Sequence, residues 1–309
     1  MGFPHPAQVR ACTLTCPYLC RNNSPLTTGQ HRWYKFTPTE TRRYVLTTSG
    51  TLDTVGELYQ GETLLSFDDD SGAGSNFLIE RDLTAGTEYR LKVKGANSSV
   101  SGSFSLKVDR LYYASVYNYY DYNYNEKVGG NDTTTSANNI NSYRTWVNAI
   151  FSTAFNLRIT NNTTTLFQSY GDIHNGNGTI NDINDHFREW LGSNSTNPHS
   201  AVLWTGCSDG QGVTYLSRAT IGIGENFTWN DWSGVGSCTA DEHTKYLYLH
   251  ELGHTMGANG DSSCPALQPC IMSYNTGWSD TFTLIRNNSA DDYFCDQCKQ
   301  QILNTISDY

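Results

Sequence analysis

At 309 residues the chain exceeds one typical domain and suits two. Its formal net charge of −10 argues against nucleic acid or an anionic membrane as main partner, and no apolar run is long enough to span a bilayer. Charged residues are only 16% and aromatics 13%, with Asn, Thr, Ser and Gly abundant, which describes a polar, uncharged surface over aromatic cores built from strands and loops.

Residues 1–29 hold Cys12, Cys16 and Cys20 and read as a cysteine-bearing amino-terminal segment. The opening Met1-Gly-Phe-Pro-His-Pro lacks the apolar core of a signal peptide, so export would imply a processed chain. From 30 to 109 short alternating runs follow one another: Tyr34–Phe36, Tyr44–Thr48, Thr63–Phe67, Asn76–Ile79, Tyr89–Val93 and Gly102–Val108. Gly, Asp, Asn and Ser separate them at the spacing of an all-β sandwich. Asp53 with Asp68, Asp69 and Asp70 forms an acidic group whose oxygens suit Ca2+. A solvated acidic turn is the competing reading.

A boundary falls near Asp109-Arg110, and a second domain spans 110–309. Leu111–Tyr117 reads as its first strand. Asn118–Asn125, rich in Tyr and Asn, reads as a sticky surface, a strand edge or a loop, without chemistry. Trp146, Val147, Ile150, Phe151 and Phe155 give Asn141–Phe155 helical spacing, and Leu157–Thr160 follows as a strand. Ile180–Leu191 is a second amphipathic helix, Ala201–Gly206 a buried strand, and Gly212–Ser217 with Ala219–Gly224 further strand material. Asp291–Ser307 closes the chain as a helix carrying two cysteines.

Between these lies His250-Glu251-Leu252-Gly253-His254. Residues four apart on a helix lie on one face, so both imidazoles can grip one Zn2+ while Glu251 serves as general base to a water. A five-residue match also recurs by chance, and its surroundings decide. Thr239 and Glu242 form a capping box that starts the helix near Ala240, and Gly257 stands where a left-handed residue would stop it. The other histidines, His174, His186, His199 and His243, are isolated in polar loops or early in helices.

Nine cysteines support an oxidising compartment and disulfides, with Cys207 and Cys238 expected to staple the strands ahead of the helix. Only Cys295 and Cys298 form a C-x-x-C, which argues against a cysteine-only zinc knuckle, and an odd count leaves one thiol over. Sequons at Asn22, Asn97, Asn131, Asn161, Asn162, Asn177, Asn194, Asn226 and Asn287 fit a glycosylated surface.

His250 to Tyr274 resembles the metzincin zinc peptidases, whose pattern is H-E-x-x-H-x-x-G-x-x-H followed by a Met-turn. His250, Glu251, His254 and Gly257 match in register, and Cys270-Ile271-Met272-Ser273 looks like the Met-turn of the adamalysin (reprolysin) branch. Met272-Ser273-Tyr274 is also similar to the Met-x-Tyr of astacins and serralysins. The resemblance implies an α+β catalytic domain with a mixed twisted sheet and a long zinc helix. Met272 would be a hydrophobic floor, and Tyr274 a switchable ligand or oxyanion donor, set against an ordinary loop tyrosine. It also implies a short Cys264–Cys270 disulfide. Residues 30–109 resemble the pre-peptidase C-terminal type of β-sandwich that accompanies secreted proteases.

One position departs from the pattern: Gly260 stands where the third histidine belongs. Catalytic zinc normally has three protein ligands. Gly260 lets the loop turn Asp261 inward by one register, so Asp261 is the expected third ligand; in adamalysins the equivalent aspartate is structural, below the site. The expectation is a secreted or cell-surface zinc endopeptidase acting on protein or peptide, with self-association or surface assembly open to it. The alternative is a catalytically weak or inactive extracellular adhesion or structural protein on the same fold.

Overall fold

In a computed structural model the described residues are 9–11, 22–160, 164–166, 183, 185, 187–191, 200–205, 212–215, 218–222, 240–259, 270–273, 284–285 and 293–307. They fall into two compact units, Met1–Leu111 and Tyr112–Tyr309. No helix among the described residues is long and apolar enough to cross a membrane.

Among its described residues the first unit has strands and no helix. Strands β1 (Val9–Ala11), β3 (His31–Phe36), β8 (Tyr89–Gly95), β5 (Thr54–Gln60) and β6 (Thr63–Asp68) lie side by side in that order. A second sheet runs β2 (Asn22–Leu26), β9 (Gly102–Arg110), β4 (Arg42–Ser49) and β7 (Leu78–Leu83). Period-two alternation explains the pairing of faces: β9 buries Phe104, Leu106 and Val108, and β8 buries Tyr89, Leu91 and Val93. These residues share one apolar core with Tyr34, Leu46, Leu58 and Phe77.

Strand β5 is a central strand that the hydrophobic pattern did not reveal, because Gly56 and Glu57 interrupt it. Both residues have a physical reason to be there. A Cβ on Gly56 would lie 2.5 Å from the Phe77 ring, so the glycine admits the ring to the core. Glu57 is buried, and burial alone would raise its pKa. Lys94 Nζ at 2.6 Å, a hydrogen bond from Tyr59 at 2.6 Å and Lys92 Nζ at 3.1 Å outweigh burial and hold the carboxylate at about 2.

The second unit is mixed α+β. Its sheet runs β11 (Leu157–Thr160), β10 (Tyr112–Tyr120), β13 (Ser200–Thr205), β15 (Arg218–Gly222) and β14 (Gly212–Tyr215), with β12 (Thr164–Leu166) also paired to β10. All pairs are parallel except β14 with β15. The helices are α1 (Tyr122–Lys127), α2 (Thr133–Phe155), α3 (Ala240–Thr255) and α4 (Asp296–Ile306). Residues 183, 185 and 187–191 are also helical.

Much of the Tyr- and Asn-rich stretch is interior, although Tyr122 is exposed. Strand β10 runs on to Tyr120, Asp121 caps α1 by accepting from Tyr124 N, and Tyr120 and Tyr124 are buried. Buried Asn118 accepts from Trp204 Nε1 at 3.0 Å and Tyr248 OH at 3.2 Å, joining β10, β13 and α3 through one oxygen. Helix α2 starts eight residues before the expected Asn141, because Asp132 accepts from Thr134 N and Thr135 N. It ends at Asn156, which is left-handed with φ 50°.

Gly56→Ala should overpack the first core and cost about 1–3 kcal/mol. Thermal unfolding should show a lower first transition, and an unchanged Tm would overturn the role given to Phe77.

Candidate metal centre

Helix α3 is buried along nearly its whole length, with Tyr246 through Gly253 all covered. Its apolar side chains Tyr246, Leu247, Tyr248, Leu249 and Leu252 join the core of the second unit. Ser200 Oγ donates to Thr255 Oγ1 at 2.9 Å and fixes the end of the helix to the start of β13. At the carboxyl end Gly257 has φ 99°, and Ala258 N returns to Gly253 O at 3.0 Å. A side chain at Gly257 would strike Thr305 Oγ1 of α4, whose oxygen lies 1.9 Å from a Cβ position. Glycine therefore serves here both for its backbone angle and for the close approach of α4.

His250 and His254 lie one turn apart on this helix. His250 Nδ1 is 2.8 Å from Ile271 O, and His254 Nδ1 is 2.7 Å from Ala258 O. A carbonyl can only accept, so each Nδ1 carries the proton, and each Nε2 is left with its lone pair. These two Nε2 atoms are 3.2 Å apart. Two lone pairs so close repel each other unless a cation lies between them. For tetrahedral zinc with Zn–N bonds of about 2.05 Å, the nitrogens would stand roughly 3.3 Å apart. The donor set and its spacing thus fit zinc, and the carbonyls supply the outer hydrogen bonds that orient metal-binding imidazoles.

Protonation of His250 is opposed. Burial first, and then the neighbouring His254, lower the pKa of His250 to about 4, against the pull of Ile271 O. Burial likewise brings His243 to about 4. His243 lies two turns before His250, roughly 10 Å along the axis, too far to share an ion with it. Glu251 is buried beside the pair at 3% exposure.

Residues 270–273 form a buried turn below the helix. Ser273 N donates to Cys270 O at 3.0 Å, and Ile271 N donates to Tyr293 O at 2.7 Å. Met272 Sδ sits 2.5 Å from where a Cβ on Gly253 would be, with Phe294 Cε1 at 3.2 Å. Gly253 was not singled out from the sequence, yet it is what lets Met272 press on the helix backbone between the two histidines. A glycine inside a helix costs about 1 kcal/mol and usually marks such an approach, so the signal was present.

The structure brings His250, Glu251, His254, Gly257 and Met272 into one neighbourhood around the end of α3. Thr239, Gly260, Asp261, Cys264 and Tyr274 lie outside the described residues, as do His174, His186, His199, Cys207 and Cys238. Cys270 Sγ lies 3.7 Å from Cys298 Sγ; the Cys264–Cys270 disulfide implied by the resemblance involves Cys264, outside the described residues.

In the first unit Asp53, Asp69 and Asp70 place carboxylate oxygens within 4.8 Å of one another. Burial, followed by Asp70, Asp53 and Asp68, raises the pKa of Asp69. Asp68 is engaged differently: it accepts from Ser71 N at 3.1 Å, Ser71 Oγ at 2.6 Å and Leu78 N at 2.7 Å. It closes the turn, and only the other three aspartates gather.

The family profile Reprolysin_5, metallo-peptidase family M12, matches residues 113–289. No curated protein matches the chain. Among solved structures it is similar to archaemetzincin from Methanopyrus kandleri, at 13% identity over 63% of this chain and 96% of that one, with a TM-score of 0.39. It is also similar to the pre-peptidase C-terminal domain of a Bacillus anthracis collagenase, at 12% identity over 34% of this chain and 98% of that one, with a TM-score of 0.28.

His243 and His250 bind protons less readily folded, at about 4, than unfolded, near 6.5. The metal-free chain should therefore be fully stabilised above about pH 6.5 and lose stability as pH falls towards 4. The Tm of the second unit should fall across that window, and His243→Gln should flatten the slope by about half. A Tm independent of pH there would contradict the burial argument.

Proposed function

This chain belongs to metallopeptidase family M12, and from that footing we propose that it is a secreted zinc endopeptidase whose ligands include His250 and His254. Family membership brings zinc and a protein substrate with it. The observation that carries the site assignment is the pair of Nε2 atoms 3.2 Å apart, each imidazole held by a carbonyl at its far nitrogen.

When bound, zinc supplies a Lewis acid that polarises a carbonyl and brings the pKa of a water towards neutrality. Glu251 accepts a proton from the attacking water and passes it to the leaving amine. Its buried position beside the ligand pair supports that role. Asp261 completes the ligand set in place of the histidine missing at Gly260, Met272 is the floor, and Tyr274 acts as switchable ligand or oxyanion donor, as in the adamalysin and astacin branches that Cys270–Tyr274 resembles. Strand β14 ends the described sheet and is antiparallel to β15; its outer edge receives substrate as an added strand.

The first unit serves as an accessory β-sandwich of the pre-peptidase C-terminal type. Asp53, Asp69 and Asp70 are its calcium ligands, in keeping with their convergent oxygens.

Glu251→Gln should lower kcat/KM on casein by about 10²–10⁴-fold with zinc retained, whereas His254→Ala should lose the zinc. A wild-type chain that binds no zinc and digests no more casein than Glu251→Gln would instead support an inactive adhesion or structural protein.

A further inference from the structure

Three buried cysteines meet away from the histidine pair. Cys270 opens the turn below α3, Cys295 stands at the N-cap of α4, and Cys298 lies in that helix's first turn. Their sulfurs lie within 4.8 Å of one another. The Cys270 and Cys298 sulfurs are 3.7 Å apart, and Cys295 N donates to Cys270 Sγ at 3.3 Å.

We propose that Cys270, Cys295 and Cys298 are ligands of a second, structural metal ion, a thiolate-preferring divalent cation such as Zn2+. A disulfide needs sulfurs about 2.05 Å apart, well short of the 3.7 Å between the Cys270 and Cys298 sulfurs. Tetrahedral zinc with Zn–S bonds of about 2.3 Å holds its sulfurs roughly 3.8 Å apart, close to the spacing of Cys270 and Cys298. Cys295-x-x-Cys298 supplies two donors from one helical turn, and Cys270 comes from a distant segment, so an ion here would tie α4 to the turn.

The placement has a mechanical purpose. Cys270 is followed by Ile271, whose carbonyl holds His250, and by Met272, which presses on Gly253. An ion on Cys270 would anchor both contacts without touching substrate. The sequence favoured disulfides because only one C-x-x-C is present; folding supplies the third thiol from 25 residues upstream of Cys295.

The test uses the full chain carrying His250→Ala and His254→Ala, so that the histidine site cannot contribute. Purified without chelator, it should retain one zinc per chain, and exchange to Co2+ should give an intense near-ultraviolet thiolate-to-cobalt band. Adding Cys298→Ser should remove the band and the metal. In the otherwise wild-type chain, a mercurial thiol reagent should release one zinc equivalent, which guards against a variant that fails to fold. Absence of the cobalt band from the histidine variant, with no zinc released by the mercurial, would overturn the proposal. So would an unreduced mass short by two hydrogens, assigned by peptide mapping to a Cys270–Cys298 bridge. The histidine variant reads the thiol site alone and a mercurial attacks thiols rather than imidazoles, so neither result bears on the peptidase reading.

Discussion

The Nδ1 atoms of His250 and His254 each face a backbone carbonyl, Ile271 O and Ala258 O, and much of the second unit is arranged to keep those two oxygens still. A histidine chooses its metal-binding nitrogen by what its other nitrogen meets. Here one carbonyl comes from the same helix, just past its last turn, and the other from a segment 21 residues further on. The first depends on Gly257 turning the chain with a positive φ, the second on the turn 270–273 being seated below α3. Local helix geometry supplies the spacing of the two rings, while tertiary structure selects their tautomers.

Seating that turn is a problem of close approach. Met272 can press on the helix only because position 253 has no side chain, and α4 can reach the helix end only because position 257 has none. Interiors packed to crystal-like density leave no slack at such contacts. The buried oxygen of Asn118 works similarly at the other face: by accepting from Trp204 and Tyr248 it fixes helix against sheet. Two small residues and one amide thus hold the helix between the sheet and α4.

Much of this was legible in the chain itself. The His-Glu motif, Gly257 and Met272 announced themselves by spacing, and helices α2 and α3 by their apolar faces. What escaped notice escaped for identifiable reasons. Strand β5 was hidden because its Gly56 and Glu57 satisfy a ring and two lysines that lie far away in sequence. The Tyr- and Asn-rich run reads as a sticky surface, edge or loop because hydroxyl and amide groups appear polar until their partners are known; with Asn118 bonded inside, Asn118, Tyr120, Asp121, Tyr124 and Asn125 are buried while Tyr122 stays exposed. The meeting of Cys270 with Cys295 and Cys298 required knowing that the last helix folds back on the turn. Periodicity reports which face of an element is apolar, and it says nothing about which distant element will cover that face.

The contribution of α4 has a temporal side. Its Thr305 packs against Gly257, its Gln301 accepts from Asn259 N, and Ile302 and Ile306 fill the core beside α3. Chains emerge from the ribosome amino terminus first, and these groups lie some fifty residues beyond the histidines. Until position 306 has cleared the exit tunnel, α3 lacks the surface that its carboxyl end rests on. A chain made in that order completes the surface beneath the carboxyl end of α3 only after nearly all of the second unit has been synthesised.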